Sequence, residues 1–164
     1  MTTAKLKDSL GVSGTLRISC VDSQTGEIIS PVHELNLITV SGKQSLLASL
    51  YTTSIIADPI ATLRVGSGGC IDSGGLYPKP EDPYQTGLYT PISGLSLSVS
   101  HTVAVGGMSV TFIADVDPAL GNGQIISEAG LFTNSGVMFN VKNHPGIPKS
   151  SAFSIHYEWT ISIT

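Results

Sequence analysis

Charge is the scarcest ingredient of this 164-residue chain. Asp, Glu, Lys and Arg make up 12% of it, about half the share usual in soluble domains. The 8 basic residues are scattered and outnumbered by 12 acidic ones, for a formal net charge of −4. With no basic stripe to neutralise phosphates, nucleic acid is excluded as a main partner. Cysteine is nearly absent. Cys20 and Cys70 form no CxxC pair and do not make a disulfide framework, so both are expected to stay free and unreactive. Long apolar runs are missing too: nothing approaches the roughly 20 residues of a membrane-spanning helix. The opening MTTAKLKDSL lacks the apolar centre of a signal peptide, so synthesis in the cytoplasm is expected.

The motifs of common chemistries are also lacking. There is no GxSxG and no HExxH. His33, His101, His144 and His156 stand in unrelated contexts, with no second His or Cys at metal-ligand spacing. Asp115 and Asp117 open a DVDPALGNG loop, but a calcium loop needs a longer order of ligands ending in Glu. Gly66-Ser67-Gly68-Gly69 follows a strand, as a phosphate cradle would. Neither GK[ST] nor a helix N-terminus follows it. The chain is therefore expected to hold no cofactor, no metal and no catalytic set, and not to be an enzyme.

What is present is glycine, proline and patterned apolar residues: 18 Gly, 9 Pro and 41% apolar. Residues 14–22 alternate, with Leu16, Ile18 and Cys20 on one face, and a DSQTG turn follows. Residues 27–30 and 32–40 read as extended segments separated by Pro31. Ser41, with Gln44 three residues on, reads as a capping box that opens the one helix, over about 42–51. Leu46, Leu47 and Leu50 form its apolar stripe. Residues 61–65 are a short strand. Leu95, Leu97, Val99, His101, Val103 and Val105 alternate with small polar residues. Gly106-Gly107 then turns the chain into a second arm, Met108 to Val116, which makes a hairpin. Residues 142–151 read as a loop. The last strand carries Phe153, Ile155, Tyr157, Trp159, Ile161 and Ile163 on one face. These elements predict a mainly β fold: a two-layer antiparallel β-sandwich with one short helix. The expected layout is a flexible arm at 1–8 and one domain over 9–164.

Two stretches invite a functional reading. Residues 69–91 form the longest irregular region and contain Pro78, Pro80, Pro83 and Pro91 with Tyr77, Tyr84 and Tyr89. Tyrosines on a stiff loop suit a contact surface, because they bury much area at low entropic cost. They equally suit packing of the loop onto its own domain. The other stretch is 125–141, IISEAGLFTNSGVMFNV, a hairpin turning at Thr133-Asn134-Ser135-Gly136. In its first arm Glu128 shares a face with Ile126 and Phe132. A carboxylate there must find a partner, stay near water or hold a proton. Its expected partners are Lys43, Arg64 or backbone N–H groups, which would lock the hairpin to the helix and the glycine loop.

The order of several short pieces carries a resemblance. They are the leading strand with its D..G turn, ELNLITVSGKQSLLASL, ATLRVGSGG, the EAGLF hairpin and FSIHYEWTISI. Together, and over most of the chain except 76–94, they resemble a group of small structural proteins of tailed bacteriophages. The resemblance implies a non-enzymatic virion protein that assembles with itself and with neighbouring virion proteins. It would be a tail-fibre, adaptor or baseplate-attached component, or else a capsid decoration (cement) protein. It would be made in the host cytoplasm and located in the virion, as a homo-oligomer for which a trimer is one option. It also implies that Asn36, Gly42, Lys43, Gly66, Glu128 and Gly130 matter to the fold. The tyrosine-rich loop departs from that pattern, so contacts through Tyr77, Tyr84 and Tyr89 are a separate expectation. Two other classes remain open: a carbohydrate-binding sandwich with those tyrosines as stacking platforms, and a small hydrolase with Glu128 as acid or base.

Overall fold

The clean alternation of the last strand sets the inner wall of the molecule. Ile155, Tyr157, Trp159 and Ile161 are all buried on β9 (Phe153–Ile163). Their neighbours come from β1 (Val12–Asp22) on one side and β6 (Ser109–Val116) on the other. Leu16, Trp159 and Phe112 stand abreast in one row, Ile18, Tyr157 and Ala114 in the next, and Cys20, Ile155 and Val116 in a third. Matched registers of this kind keep every inward residue in one core, since a slip by one residue would turn the whole set outward.

The computed structural model describes residues 11–51 and 58–163; the expected arm at 1–8 lies outside them. The remaining elements are β2 (Ile28–Ile38), α1 (Val40–Tyr51), β3 (Ile60–Gly66), β4 (Pro91–Ser98), β5 (Ser100–Val103), β7 (Ile125–Thr133) and β8 (Met138–Pro148). The strands form one antiparallel sheet in the order β4-β3-β7-β8-β2-β1-β9-β6-β5.

That order corrects the expected sandwich: the sheet curls into a nearly closed barrel. Two partner exchanges cause it. β2 pairs with β1 along most of its length, then passes Leu37 and Ile38 to β8. β4 and β5 are consecutive, interrupted only at Val99, whose N–H donates to the Ala61 carbonyl. The first of them pairs with β3 and the second with β6, and β4 also lies against β6. Strands shared between the would-be layers merge them. Alternation in the sequence is the same for a sandwich and a barrel.

Two local expectations are also corrected. The helix starts at Val40, and its cap is Thr39 rather than Ser41. The Thr39 hydroxyl accepts the Gly42 N–H at 3.0 Å and donates to the Met138 carbonyl at 2.7 Å, so the cap also ties α1 to β8. Second, the predicted loop at 142–151 is mostly strand, because β8 continues to Pro148. It does so through an irregularity: Ile126 faces Ile147 but Glu128 faces Asn143, which leaves His144, Pro145 and Gly146 as a bulge that accommodates the proline. His101 lies exposed on the edge strand β5, and Val103 and Val105 beside it are exposed too.

Gly42 is required by close approach. A Cβ there would fall inside the contact distance of the Phe139 carbonyl oxygen on β8. Gly42→Ala gains helix propensity but forces the helix off the sheet. We expect a net loss of about 2 kcal/mol in denaturant unfolding. A gain in stability would mean that α1 can shift freely.

Candidate functional site

β7 is buried from Ile126 to Thr133. Its inner residues, such as Ala129 and Leu131, join the barrel core, and so does Ile126. Phe132 belongs instead to a second cluster with Met138 and Val141, against which Leu37 and Leu88 pack. The segment 67–90 supplies Leu88 and covers the outside of the barrel at this point. Glu128 lies beneath that cover, fully buried.

A buried carboxylate demands donors, and among the described residues all of them are backbone. Oε1 accepts the N–H groups of Gly68 at 3.0 Å and Thr90 at 2.8 Å, and Oε2 accepts that of Tyr89 at 2.8 Å. Neither of the two expected basic partners, Lys43 and Arg64, takes part. Lys43 stands exposed in the first turn of α1, and the Arg64 guanidinium stacks over the Phe132 ring at 4.3 Å. The carboxylate therefore fastens the two ends of the 67–90 segment to each other and to β7, and it does not reach the helix. Gly66 faces Glu128 across the β3–β7 ladder. A side chain at Gly66 would collide with the Glu128 carboxylate and the Thr90 carbonyl.

The rest of the segment is pinned in the same manner. Asp72 accepts the N–H groups of Leu76 and Tyr77, which hold its carboxyl below the usual carboxylate range. The Ile71 N–H donates to the Tyr77 carbonyl at 2.8 Å, and Cys70 bridges Pro78, so 70–78 is a small closed turn. Lys79 donates from Nζ to the Gly68 carbonyl at 2.7 Å and lies 4.6 Å over the Tyr89 ring. The β8 bulge is the seat of this turn. The Cys70 thiol donates to the His144 carbonyl at 3.4 Å, and the Gly146 N–H donates to Gly75 at 2.6 Å. Next to the bulge, the Asn143 amide donates to the Lys79 carbonyl. Lys142 bridges Glu34 at 2.7 Å and Glu81 at 3.1 Å. Burial lowers the Lys142 pKa, but the hydrogen bonds to Glu34 and Glu81 outweigh it and the net shift is upward. The His144 ring is buried, with Nδ1 2.8 Å from the Pro145 carbonyl. Burial pushes its pKa down to about 4.

The outward face of the segment is different in kind. Tyr77, Tyr84 and Tyr89 are all exposed, and so are Ile71 and Leu76. The last two were missed in the sequence, although apolar residues inside a Gly/Asp-rich turn are themselves a signal. The anchors Asp72, Asn143 and His144 were missed as well. Only Asp72 had a local cue, as an Asp ahead of Gly-Gly.

The other sequence-derived residues do not join this site as a group. Asn36 lies against Gly14 on the β1–β2 pair. Gly130 sits between Arg64 and Val141 in the sheet. Cys20 and Cys70 are both buried and both free. Among the described residues, no three His, Cys, Asp or Glu side chains converge as metal ligands would. Both oxygens of the buried Glu128 are engaged by N–H donors, so its geometry is that of a structural acceptor. In comparisons with models of known families, with curated proteins and with solved structures, the chain matches none.

Proposed function

We propose that this chain is a non-enzymatic structural protein of a tailed-bacteriophage virion. It is an assembly module that binds copies of itself and neighbouring virion proteins, on the tail side, as an adaptor or baseplate-attached component. One observation carries the reading: in the 67–90 segment the inward polar groups are used to hold backbone, while large apolar side chains face water. Rigid, exposed apolar groups suit a protein contact, because association then orders little that was free. The ordered sequence pieces that resemble phage structural proteins supply the particle. Mass spectrometry and cryo-EM of purified particles test it. The expected result is density for this chain at the tail. Density over the capsid lattice would move it to decoration, and its absence from particles would overturn the reading.

A second reading, a carbohydrate-binding module, draws on the exposed Tyr84 ring, since sugars stack on aromatic faces. It requires glycan-array binding that Tyr84→Ala abolishes.

A further inference from the structure

Four of the exposed residues belong to the closed 70–78 turn or are tied to it through Lys79. Ile71 and Tyr77 face each other across the small turn, Leu76 adjoins Tyr77, and Tyr89 is linked back through Lys79. Their exposures are 72%, 66%, 70% and 45% in that order. Together they offer roughly 450 Å² of side-chain surface, over half of the about 800 Å² per partner in a standard protein interface. The exposed prolines 78 and 80 extend the same segment.

We propose that this patch, Ile71, Leu76, Tyr77 and Tyr89, is a self-association surface that docks on the same patch of a second copy. This rests on the assembly reading above and gives it a location. Two features favour a second copy as the occupant. The patch carries both signs of charge, with Lys79 over Tyr89 and the Asp72 carboxylate at the turn. A two-fold axis through it sets each against the other's opposite. The surface is also pre-shaped, because its backbone is fixed from inside by Glu128, Asp72 and the β8 bulge, so docking freezes few new torsions. A sugar fits this patch less well. Ile71 and Leu76 offer no stacking plane for a sugar ring.

Sedimentation of the purified chain from micromolar to millimolar concentration is the test, with the double variant Leu76→Ser/Tyr77→Ser alongside. Both side chains are exposed, so the variant should melt as the wild type does. The expected result is a reversible wild-type dimer whose dissociation constant rises at least 100-fold in the variant. A wild type that stays monomeric throughout overturns the proposal. So does a dimer that survives the variant, or one broken instead by Val105→Ser/Met108→Ser at the β5–β6 tip. A monomer whose glycan binding the double variant abolishes overturns it in favour of a sugar platform. The particle experiment stays separate: a patch-dependent dimer missing from purified particles supports the interface and sinks only the virion reading.

Discussion

Glu128→Ala is expected to cost about 4 kcal/mol in urea unfolding. The side chain is fully buried and accepts three backbone N–H groups, from Gly68, Tyr89 and Thr90. Each donor left unpaired in the interior costs about 1–3 kcal/mol, and hydrogen bonds to a charged acceptor lie at the strong end of the range. The full sum is not expected, because the 67–90 segment can lift and let water reach some of the donors. Glu128→Gln separates the acceptor from the charge. Its one carbonyl oxygen can still serve Gly68 and Thr90, but its amide turns a donor toward the Tyr89 N–H. We expect about half the loss of the alanine variant. Hydrogen exchange gives the local readout: the Gly68, Tyr89 and Thr90 amides should lose protection in Glu128→Ala before the β9 amides do. A loss below about 1 kcal/mol would mean that water replaces the carboxylate easily and that Glu128 is no staple. A hydrolase that used Glu128 as its acid or base would show the reverse pattern, with activity lost in Glu128→Gln and stability kept.

This residue also marks what the sequence can disclose. A carboxylate in a strand of apolar neighbours is visible as a conflict between local pattern and burial, and such conflicts point to places where the fold does something specific. The partner was not visible. Lys43 and Arg64 are natural candidates by charge, whereas the actual donors are peptide groups that any sequence possesses. Only the loop's path brings them to Glu128. The same limit explains the barrel. The alternation of β9, β1 and β6 can be read directly, because each inward position is apolar. Which edges pair, and whether two layers share strands, depends on β2 and the β4–β5 pair exchanging partners, and no residue type encodes that exchange. The bulge at His144–Gly146 misled in the opposite direction. Pro145 and Gly146 look like loop residues, yet they lie in a strand whose ladder is already interrupted there. Tyr77, Tyr84 and Tyr89 were legible as a group because prolines exclude regular structure around them. Whether they faced in or out was settled by the anchors beneath them, and most of those have no local signature.

Acid should loosen that anchorage, and the window follows from His144. Its folded pKa is about 4, against about 6.5 for an exposed histidine. Above pH 6.5 the ring is neutral in both states and its burial costs nothing in protons. As the pH falls from 6.5 toward 4, the unfolded chain binds a proton that the native state refuses. Stability then declines by about 3 kcal/mol across that window. Below pH 4 the native ring protonates too, and this group adds no further loss. Asp22 and Asp72 act in a different window. Backbone N–H bonds lower their folded pKa values, so the stability they add is present above the unfolded carboxylate range and fades only as the pH drops through it. Urea titrations between pH 7 and 4 therefore report mainly on His144. His144→Gln should flatten the curve there, whatever it does to the absolute stability. Glu34 and Lys142 are the charges felt at the ring, the first favouring protonation and the second opposing it. Glu34→Gln should accordingly extend the acid limb to lower pH. Because the His144 backbone holds Cys70 and the bulge holds Gly75, the opening should begin at the 70–78 turn. Amides of Ile71 and Gly146 should exchange faster at pH 5 than at pH 7 once intrinsic rates are corrected, while those of β9 stay protected. A wild-type stability that is level from pH 7 to 4 would show that the ring is hydrated in solution. The turn bearing Ile71, Leu76 and Tyr77 would then be insensitive to acid over that range.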